Sequence, residues 1–216
     1  MTFDIITIFP QMFEKIFDFG VIAHGIKSKK LEINIHDLRS FTNDKHKIVD
    51  DRPFGGGAGM VLKPEPLFEA IETIKSKKPD AKVIFLTPQG KQLIQEKIES
   101  LSKQKELILI CGRYEGIDQR VIDNLVDEEI SIGDYVLSGG EIPAMVLIDS
   151  ISRLIPGVIK NADFNESESF SDKTDRTKLD YKVYTRPEKF KGHKVPEILL
   201  SGNHEEIKKW REMMNQ

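Results

Sequence analysis

The chain has 216 residues, of which 39% are hydrophobic and 31% charged. This is enough apolar material for one large domain, or for one domain with a small appendage. No apolar run reaches the roughly 18 residues of a membrane-spanning helix, and the first residues lack the positive region of a signal peptide. The single cysteine, Cys111, excludes an intrachain disulfide and fits a reducing, cytoplasmic environment.

The charges are unevenly distributed, although the formal net charge of −3 argues mildly against nucleic-acid binding. Between Lys173 and Lys194, eight lysines and arginines outnumber three acidic residues. An acidic stretch precedes this run, and a second basic group lies earlier in the chain: Lys27, Lys29, Lys30, Lys45 and Lys47. Runs of this kind are often plain solvated surface, so a motif is needed to decide what they do.

The hydrophobic pattern predicts alternating strands and helices over the first three quarters of the chain. In chain order the predicted elements are a buried strand at 3–9, a mostly helical stretch at 11–30 broken near Gly20 and Gly25, a half-buried strand at 31–37, a helix at 64–78, a strand at 83–86, a helix at 91–103, a strand at 107–111, a short helix at 119–125, a strand at 129–132 and a helix at 143–155. This alternation indicates an α/β fold, in which helices cover both faces of a mostly parallel sheet.

Two segments have no clear period. Residues 39–60 are rich in Asp, Gly and His, and a loop of that length inside a compact domain is usually functional or disordered. Residues 162–181 are polar and aperiodic, which is typical of a mobile linker. After this linker, 196–200 and 203–214 predict a small helical tail that contains Trp210.

Three apolar strands are predicted to end in tight, glycine-containing turns. The turns lie at Thr87–Gly90, at Gly112–Gly116 and at Gly133–Gly140. Glycine lets the backbone approach a ligand closely, because it has no Cβ and accepts positive φ. If the strands are neighbours in a parallel sheet, the turns meet at one edge and form a binding crevice.

Common nucleotide and metal motifs are missing from the sequence. There is no phosphate-binding G-x-x-x-x-G-K-[ST] loop, and Gly55–Gly59 does not follow a strand as a dinucleotide-binding fingerprint would. This argues against a dehydrogenase. The sequence contains no C-x-x-C or H-E-x-x-H pattern, and its histidines are scattered. His46 is the exception of interest, because it lies in the long loop beside Asp50 and Asp51.

Six long segments carry a resemblance to a known family. They are Val49–Met60, Cys111–Asp118, Ser131–Ala144, Ser152–Val158, Tyr184–Pro187 and Leu200–His204. In this order, and across almost the whole chain, they resemble the bacterial tRNA (guanine-N1)-methyltransferase family, TrmD, of the SPOUT class. The resemblance implies a SPOUT-type parallel sheet flanked by helices with a deep trefoil knot, which no periodicity could reveal, plus a small helical C-terminal domain.

The resemblance also gives the three glycine turns a ligand. In the family they line a deep pocket that holds S-adenosylmethionine in a bent conformation. Carried over to this sequence, the cofactor-binding residues are Leu86, Pro88, Gly112, Arg113, Tyr114, Glu115, Ile132, Gly133, Tyr135, Leu137, Gly139, Gly140 and Pro143. Backbone groups of such turns can contact the adenine edge without a cost in side-chain entropy.

The implied reaction is methylation of guanine N1 immediately 3′ of the anticodon. A general base must remove the N1 proton while a cation stabilises the charge that grows on O6. The family uses an Arg at the end of the knot helix, which matches Arg153, and an Asp on the linker. Here Glu168 stands at that position before Ser169-Phe170, one methylene longer than the family residue. A shifted register would instead give the role of base to one of Asp163, Asp172 and Asp175.

The family organisation implies further partners and domain boundaries. We expect a SPOUT methyltransferase domain at 1–160, a mobile interdomain linker at 161–178 and a short helical tRNA-binding domain at 179–216. Relatives generally continue for several helical turns beyond the Trp210 region. They act as homodimers whose active site is shared between subunits, and they need Mg²⁺, for which Glu115 is the candidate ligand.

The resemblance also suggests contacts with tRNA. His46, Asp50 and Arg52 lie in a loop that in relatives approaches the target base, and both basic groups would contact the tRNA backbone. The alternative function is a catalytically weakened, tRNA-binding relative that retains cofactor binding, which the Glu168 replacement and the short tail suggest.

Overall fold

The structure, a computed structural model, describes residues 1–159 and 168–214. The chain divides into two compact units, Met1–Lys160 and Asn161–Gln216. The first contains a parallel sheet, and the second contains a small hairpin and a C-terminal helix. Within the described residues no helix has the length and hydropathy needed to cross a membrane.

The strands and helices of the first unit alternate along the chain as the sequence predicts, apart from two two-residue strands at 50–51 and 61–62, where none was predicted. Its strands are β1 (Thr2–Thr7), β2 (Glu32–Asp37), β3 (Asp50–Asp51), β4 (Val61–Leu62), β5 (Lys82–Gln92), β6 (Glu106–Cys111) and β7 (Glu128–Ser131). Its α-helices are α1 (Gly20–Lys27), α2 (Pro64–Lys75), α3 (Gln95–Leu101), α4 (Gln119–Leu125) and α5 (Glu141–Ser152). Short 3₁₀ helices lie at Pro10–Phe13, Ile16–Asp18 and Leu38–Phe41.

Five of these strands form a sheet in the order β2-β1-β6-β5-β7 within the described part of the chain. All four neighbouring pairs are parallel. Each face of the sheet has its own apolar core: Phe3 and Ile5 of β1 join the cluster that includes α5, whereas Ile6 joins the cluster that includes α2. The prediction of a parallel sheet flanked by helices is confirmed.

Two details of the prediction are wrong. Gly25 does not break the helix but lies within α1, where a Cβ would come within 2.5 Å of the Leu31 side chain. The glycine therefore permits close packing between α1 and the start of β2. The segment at 91–103 is not helical from its start, because β5 continues to Gln92 and α3 begins at Gln95. Lys91 and Gln92 instead pair with β7.

Strand β5 makes an unusual contact with β7. Both Leu86 and Lys91 pair with Ile130, and residues 87–90 form an excursion between them. At Gly90, a Cβ would lie 2.4 Å from the Ile130 amide nitrogen. The excursion therefore passes in direct backbone contact with β7, which only glycine permits.

The second unit contains a two-stranded hairpin that the sequence analysis missed. Strands β8 (Lys189–Phe190) and β9 (His193–Lys194) pair across Lys191 and Gly192, whose φ values of 48° and 90° are those of a tight hairpin turn. A 3₁₀ helix at Glu197–Leu200 and helix α6 (His204–Met213) follow, close to the predicted tail. Asn203 caps α6 by accepting a hydrogen bond from the Glu206 amide.

Candidate functional site

A cavity of about 360 Å³ opens at the carboxyl ends of β5, β6 and β7, which are adjacent in the sheet. Its lining comes from the three glycine turns, so the predicted crevice exists. All thirteen residues predicted to bind the cofactor line it: Leu86, Pro88, Gly112, Arg113, Tyr114, Glu115, Ile132, Gly133, Tyr135, Leu137, Gly139, Gly140 and Pro143. Ligand pockets typically have volumes of about 300–1,000 Å³, so the space suits a small molecule.

The glycines of these turns let two backbone segments touch beneath the cavity. The Gly140 amide donates to the Gly112 carbonyl at 2.9 Å, and Arg113 pairs with Gly139 in an antiparallel bridge. A Cβ on Gly140 would lie 2.7 Å from the Cys111 Cα. The turn after β6 and the turn before α5 are thus held together by main-chain contacts that a side chain would prevent.

An ion pair supports the same two turns from below. Glu141, in the first turn of α5, is fully buried and accepts from Arg113 Nε at 2.9 Å and from Thr7 Oγ1 at 2.8 Å. Sequence reasoning missed Glu141 and Thr7. The available signal was that Glu141 lies in the family motif Ser131–Ala144, but its partner Thr7 is 134 residues away in the chain.

The loop with the predicted substrate-binding residues contacts the cavity lining at Tyr114. Tyr114 has a φ of +60°, and burial together with the charge of the hydrogen-bonded Asp50 carboxylate raises its pKa. Main-chain bonds join the same segments, because the Glu115 amide donates to Met60 and the Leu62 amide donates to Gly116, each at 3.0 Å. Asp50 is therefore held beside the lining of the cavity.

The other two predicted substrate residues lie on the exposed part of that loop. The His46 amide donates to Asp44 Oδ2 at 2.6 Å, and the Arg52 amide donates to Asp51 Oδ1 at 2.8 Å, while both side chains are exposed. Neither residue lines the cavity. The structure therefore brings Asp50, but not His46 or Arg52, to the lining of the cavity.

The predicted catalytic pair is divided between the two units. Arg153 follows the last turn of α5 and is half-buried. Glu168 is also half-buried and lies in a turn, where its carbonyl accepts from the Ser171 amide at 3.1 Å. Asp163, one of the alternative bases, lies outside the described residues.

The remaining alternatives, Asp172 and Asp175, are occupied by local hydrogen bonds. Asp172 Oδ1 accepts from the Thr174 hydroxyl at 2.7 Å and from its amide at 2.9 Å, and these bonds hold the pKa of Asp172 well below its usual range. The Thr177 hydroxyl and amide likewise lower the pKa of Asp175. A lowered pKa makes a carboxylate a weaker general base.

The described residues give little support to a cysteine nucleophile or to a metal site. Burial raises the pKa of the Cys111 thiol well above its usual range, and the nearby Glu141 carboxylate adds to this effect, so the thiol is a poor nucleophile. In residues 1–159 and 168–214, no group of three or more His, Cys, Asp or Glu side chains could hold a metal ion. Glu115 lines the cavity but has no such group around it.

Known proteins resemble this chain over nearly its whole length. The model of the family tRNA (Guanine-1)-methyltransferase TrmD matches residues 1–216. The tRNA (guanine-N(1)-)-methyltransferase of Buchnera aphidicola subsp. Acyrthosiphon pisum is 55% identical over 210 residues, which are 97% of this chain and 87% of that protein. The enzyme of the same description from Marinomonas sp. is 52% identical over 211 residues, covering 98% and 83%.

The fold agrees with these matches. The crystal structure of the tRNA (m1G37) methyltransferase from Aquifex aeolicus superimposes with a TM-score of 0.81 at 41% identity, over 97% of this chain and 87% of that one. The family model matches the whole chain, the two curated relatives are more than 50% identical to it, and the solved relative has the same fold. This chain is therefore an enzyme of the TrmD family of tRNA (guanine-N1)-methyltransferases.

Proposed function

We propose that this enzyme transfers a methyl group from S-adenosylmethionine to N1 of the guanine at position 37 of tRNA, immediately 3′ of the anticodon. Family membership supports the reaction, and the solved relative is described as acting at that position. The observation that carries the proposal is the cavity at the ends of β5, β6 and β7, whose lining includes every residue predicted to bind the cofactor.

The lining of the cavity supports S-adenosylmethionine as its ligand. The glycine turns place main chain against the cavity for the adenine edge, and Leu86, Ile132 and Leu137 contribute apolar side chains to the lining. When bound, the cofactor supplies an electrophilic sulfonium methyl group. The protein's task is to orient that methyl and to handle the proton on guanine N1.

We propose that the cavity is built by the family's trefoil knot. Family membership carries this proposal. Two close main-chain contacts at the cavity are consistent with it: the irregular pairing of β5 with β7 at Ile130, and the contact between Gly140 and the Cys111–Gly112 backbone.

Glu168 is the proposed general base, and Arg153 is its electrostatic partner. Glu168 would accept the N1 proton, while the Arg153 guanidinium would stabilise the negative charge that develops on O6. The hydrogen bonds and lowered pKa values of Asp172 and Asp175 favour Glu168 over both. The Glu168 side chain is one methylene longer than the Asp of the family, and it can still reach N1 of the target guanine if the linker shifts.

We propose that Asp50, His46 and Arg52 contact the target nucleotide and its neighbours. The contact between Asp50 and Tyr114 supports this, because it brings the loop to the cavity. The exposed lysines of the hairpin, Lys189 and Lys194, support a phosphate-binding role for the basic run in the proposed C-terminal tRNA-binding domain at 179–216. The domain at 1–160 would then carry the cofactor, and the linker at 161–178 would carry the base.

Two further features of the family stay predictions. A homodimer would let the base of one subunit reach the cofactor of the other. Mg²⁺ is harder to accommodate, because a single cavity carboxylate, Glu115, would leave the ion dependent on water and substrate oxygens, so no step is assigned to it. A cytoplasmic location likewise remains an expectation from the sequence.

Methyl transfer from labelled S-adenosylmethionine to an unmodified tRNA transcript tests the proposal. The wild-type enzyme should label a transcript with guanine at position 37 and leave unlabelled a transcript in which that guanine is replaced by adenine. Glu168→Ala should lower the rate by about 100-fold or more, because proton transfer by a positioned base contributes roughly 10²–10⁴-fold. Glu168→Asp should retain much of the activity.

Asp172→Asn is the matched control, since it removes a carboxylate from the same segment. It should keep a near wild-type rate if Glu168 is the base. Loss in Asp172→Asn with an active Glu168→Ala would transfer the role to Asp172. A wild-type enzyme that binds S-adenosylmethionine and tRNA without transfer would favour the alternative, a catalytically weakened tRNA-binding relative.

A further inference from the structure

We propose that Glu141 is a positioning residue for the cofactor cavity, acting through Arg113. The inference rests on the proposed binding of S-adenosylmethionine between the glycine turns. Glu141 does not line the cavity itself, because it is fully buried beneath the two turns. Its effect on the ligand must therefore pass through the residues that it holds.

Glu141 fixes Arg113 by a buried, charge-assisted hydrogen bond. One carboxylate oxygen accepts from Arg113 Nε at 2.9 Å, and the other accepts from Thr7 Oγ1 at 2.8 Å. The Thr7 hydroxyl in turn accepts from the Phe9 amide at 3.0 Å. With both oxygens occupied, the carboxylate has one orientation, and the guanidinium is held in one plane.

Arg113 transmits this restraint to the cavity. Its Nη1 donates to the Ser138 carbonyl at 3.1 Å, and its guanidinium lies across Gly139, where a Cβ would approach Nε. The same group lies 4.6 Å from the centre of the Phe9 ring. One side chain from the turn after β6 therefore clamps the turn before α5 against the end of β1.

The geometry explains why the residue is an acid. A Gln side chain could accept from Arg113 but would leave the guanidinium charge without a buried counter-charge. The clamp would loosen, and the two turns that line the cavity would lose their fixed spacing. Pre-organised sites lose affinity when their supporting residues are removed, because the ligand must then order them.

The test is calorimetric titration of S-adenosylmethionine into Glu141→Gln. We expect Kd for S-adenosylmethionine to rise about tenfold, the scale of one lost charge-assisted hydrogen bond. KM for tRNA should change by less than about twofold, because neither Glu141 nor Arg113 is among the proposed RNA contacts. Glu128→Gln is the matched control: it also removes an ion-paired carboxylate, from Lys82 and Lys97, at the amino end of β7 and away from the cavity.

A second variant covers the case in which Glu141→Gln does not fold. Thr7→Val keeps Glu141 and Arg113 but removes the hydroxyl that donates to Glu141, and Thr7 does not line the cavity, so we expect a smaller loss of cofactor affinity in the same direction. Where Glu141→Gln folds, adding it to Arg113→Lys should weaken binding little further if the acid acts through Arg113.

The outcomes separate the inference from the proposed function. Wild-type affinity in Glu141→Gln (or in Thr7→Val, where Glu141→Gln does not fold), or the same loss in Glu128→Gln, would overturn the role of Glu141 and leave the proposed function intact. Failure of the wild-type enzyme to bind S-adenosylmethionine would overturn both.

Discussion

At the scale of single residues, Asp4 shows how a buried charge is accommodated away from the cavity. Its carboxylate accepts from His36 Nε2 at 2.9 Å and from Lys78 Nζ at 2.6 Å, and its side chain is 3% exposed. Burial alone would raise its pKa, but the hydrogen bonds from His36 and Lys78 outweigh burial, so the pKa of Asp4 is lowered. The cluster joins β1, β2 and the segment after α2.

Asp4→Asn should therefore destabilise the protein at neutral pH by about 1.5–3 kcal/mol, the range for a hydrogen bond to a charged group. Because the folded-state pKa lies below the unfolded-state value, the stabilisation is fully present above the unfolded pKa and is lost as the pH falls through the folded pKa. The difference in the free energy of unfolding between wild type and variant should thus shrink as the pH falls below about 4.

Urea unfolding at a series of pH values measures this gap. Asp80→Asn serves as the control, since Asp80 is exposed. It should show little loss at any pH. If Asp4→Asn lowers the free energy of unfolding by the same amount at the lowest pH as at neutral pH, the charge of the carboxylate does not stabilise the fold.

The residues of the cavity were predictable and those that support it were not. The thirteen predicted residues lie in three short motifs: the pattern of a strand followed by glycines indicated the turns, and the family resemblance supplied the individual residues. Glu141 gains its role from Arg113 and Thr7, which lie 28 and 134 residues away in the chain. No spacing rule connects two positions that are brought together only by folding.

At the scale of elements, β5 is a strand whose start the sequence predicted and whose end it did not. Lys91 and Gln92 lie at the start of the predicted helix at 91–103, and their strand conformation depends on pairing with β7, about 40 residues later. Local propensity cannot report such a pairing. The hairpin β8–β9 was missed for another reason, because strands of two residues are too short for an alternating pattern to appear.

Gly90→Ala should be strongly destabilising. Its Cβ would lie within 2.4–2.7 Å of the Ile130 nitrogen and the Glu129 carbonyl group, which are backbone atoms that cannot rotate away. Overpacking of this kind costs about 1–3 kcal/mol and occasionally more, and a main-chain clash lies at the upper end. Equilibrium unfolding in guanidinium chloride gives the loss.

Gly20→Ala separates this clash from the general cost of replacing a glycine. Gly20 has a positive φ of 66° but no atom within 4 Å of its Cβ position, so only about 1–2 kcal/mol of backbone strain is expected. Equal losses for the two variants would show that the excursion of β5 can move away from β7.

At the scale of the whole molecule, an exposed apolar face suggests where a second subunit would bind. A groove lies between residues 16–22 and the outer side of α5, and Phe19 in this groove is 72% exposed. Val146 and Ile142 of α5 are also exposed. A homodimer through this face would cover apolar surface that a monomer would leave in water.

Mixing two inactive variants tests the proposal that an active site is shared between two subunits. Glu168→Ala lacks the proposed base but keeps the cavity. Leu137→Arg places a cation in the cavity lining, where it should exclude the positively charged sulfonium, at a position 37% exposed and outside the core. Each variant alone should dimerise and be inactive, and loss of cofactor binding by Leu137→Arg is checked first.

Co-refolding the two in equal amounts makes about half of all dimers mixed. If the base of one subunit serves the cavity of the other, each mixed dimer has one complete site: the intact cavity of the Glu168→Ala subunit, served by Glu168 of the Leu137→Arg subunit. The mixture should then recover about a quarter of the wild-type rate. If base and cavity act within one subunit, no dimer contains a complete site, so a mixture as inactive as its components would reject the shared site and leave the dimer itself unaffected.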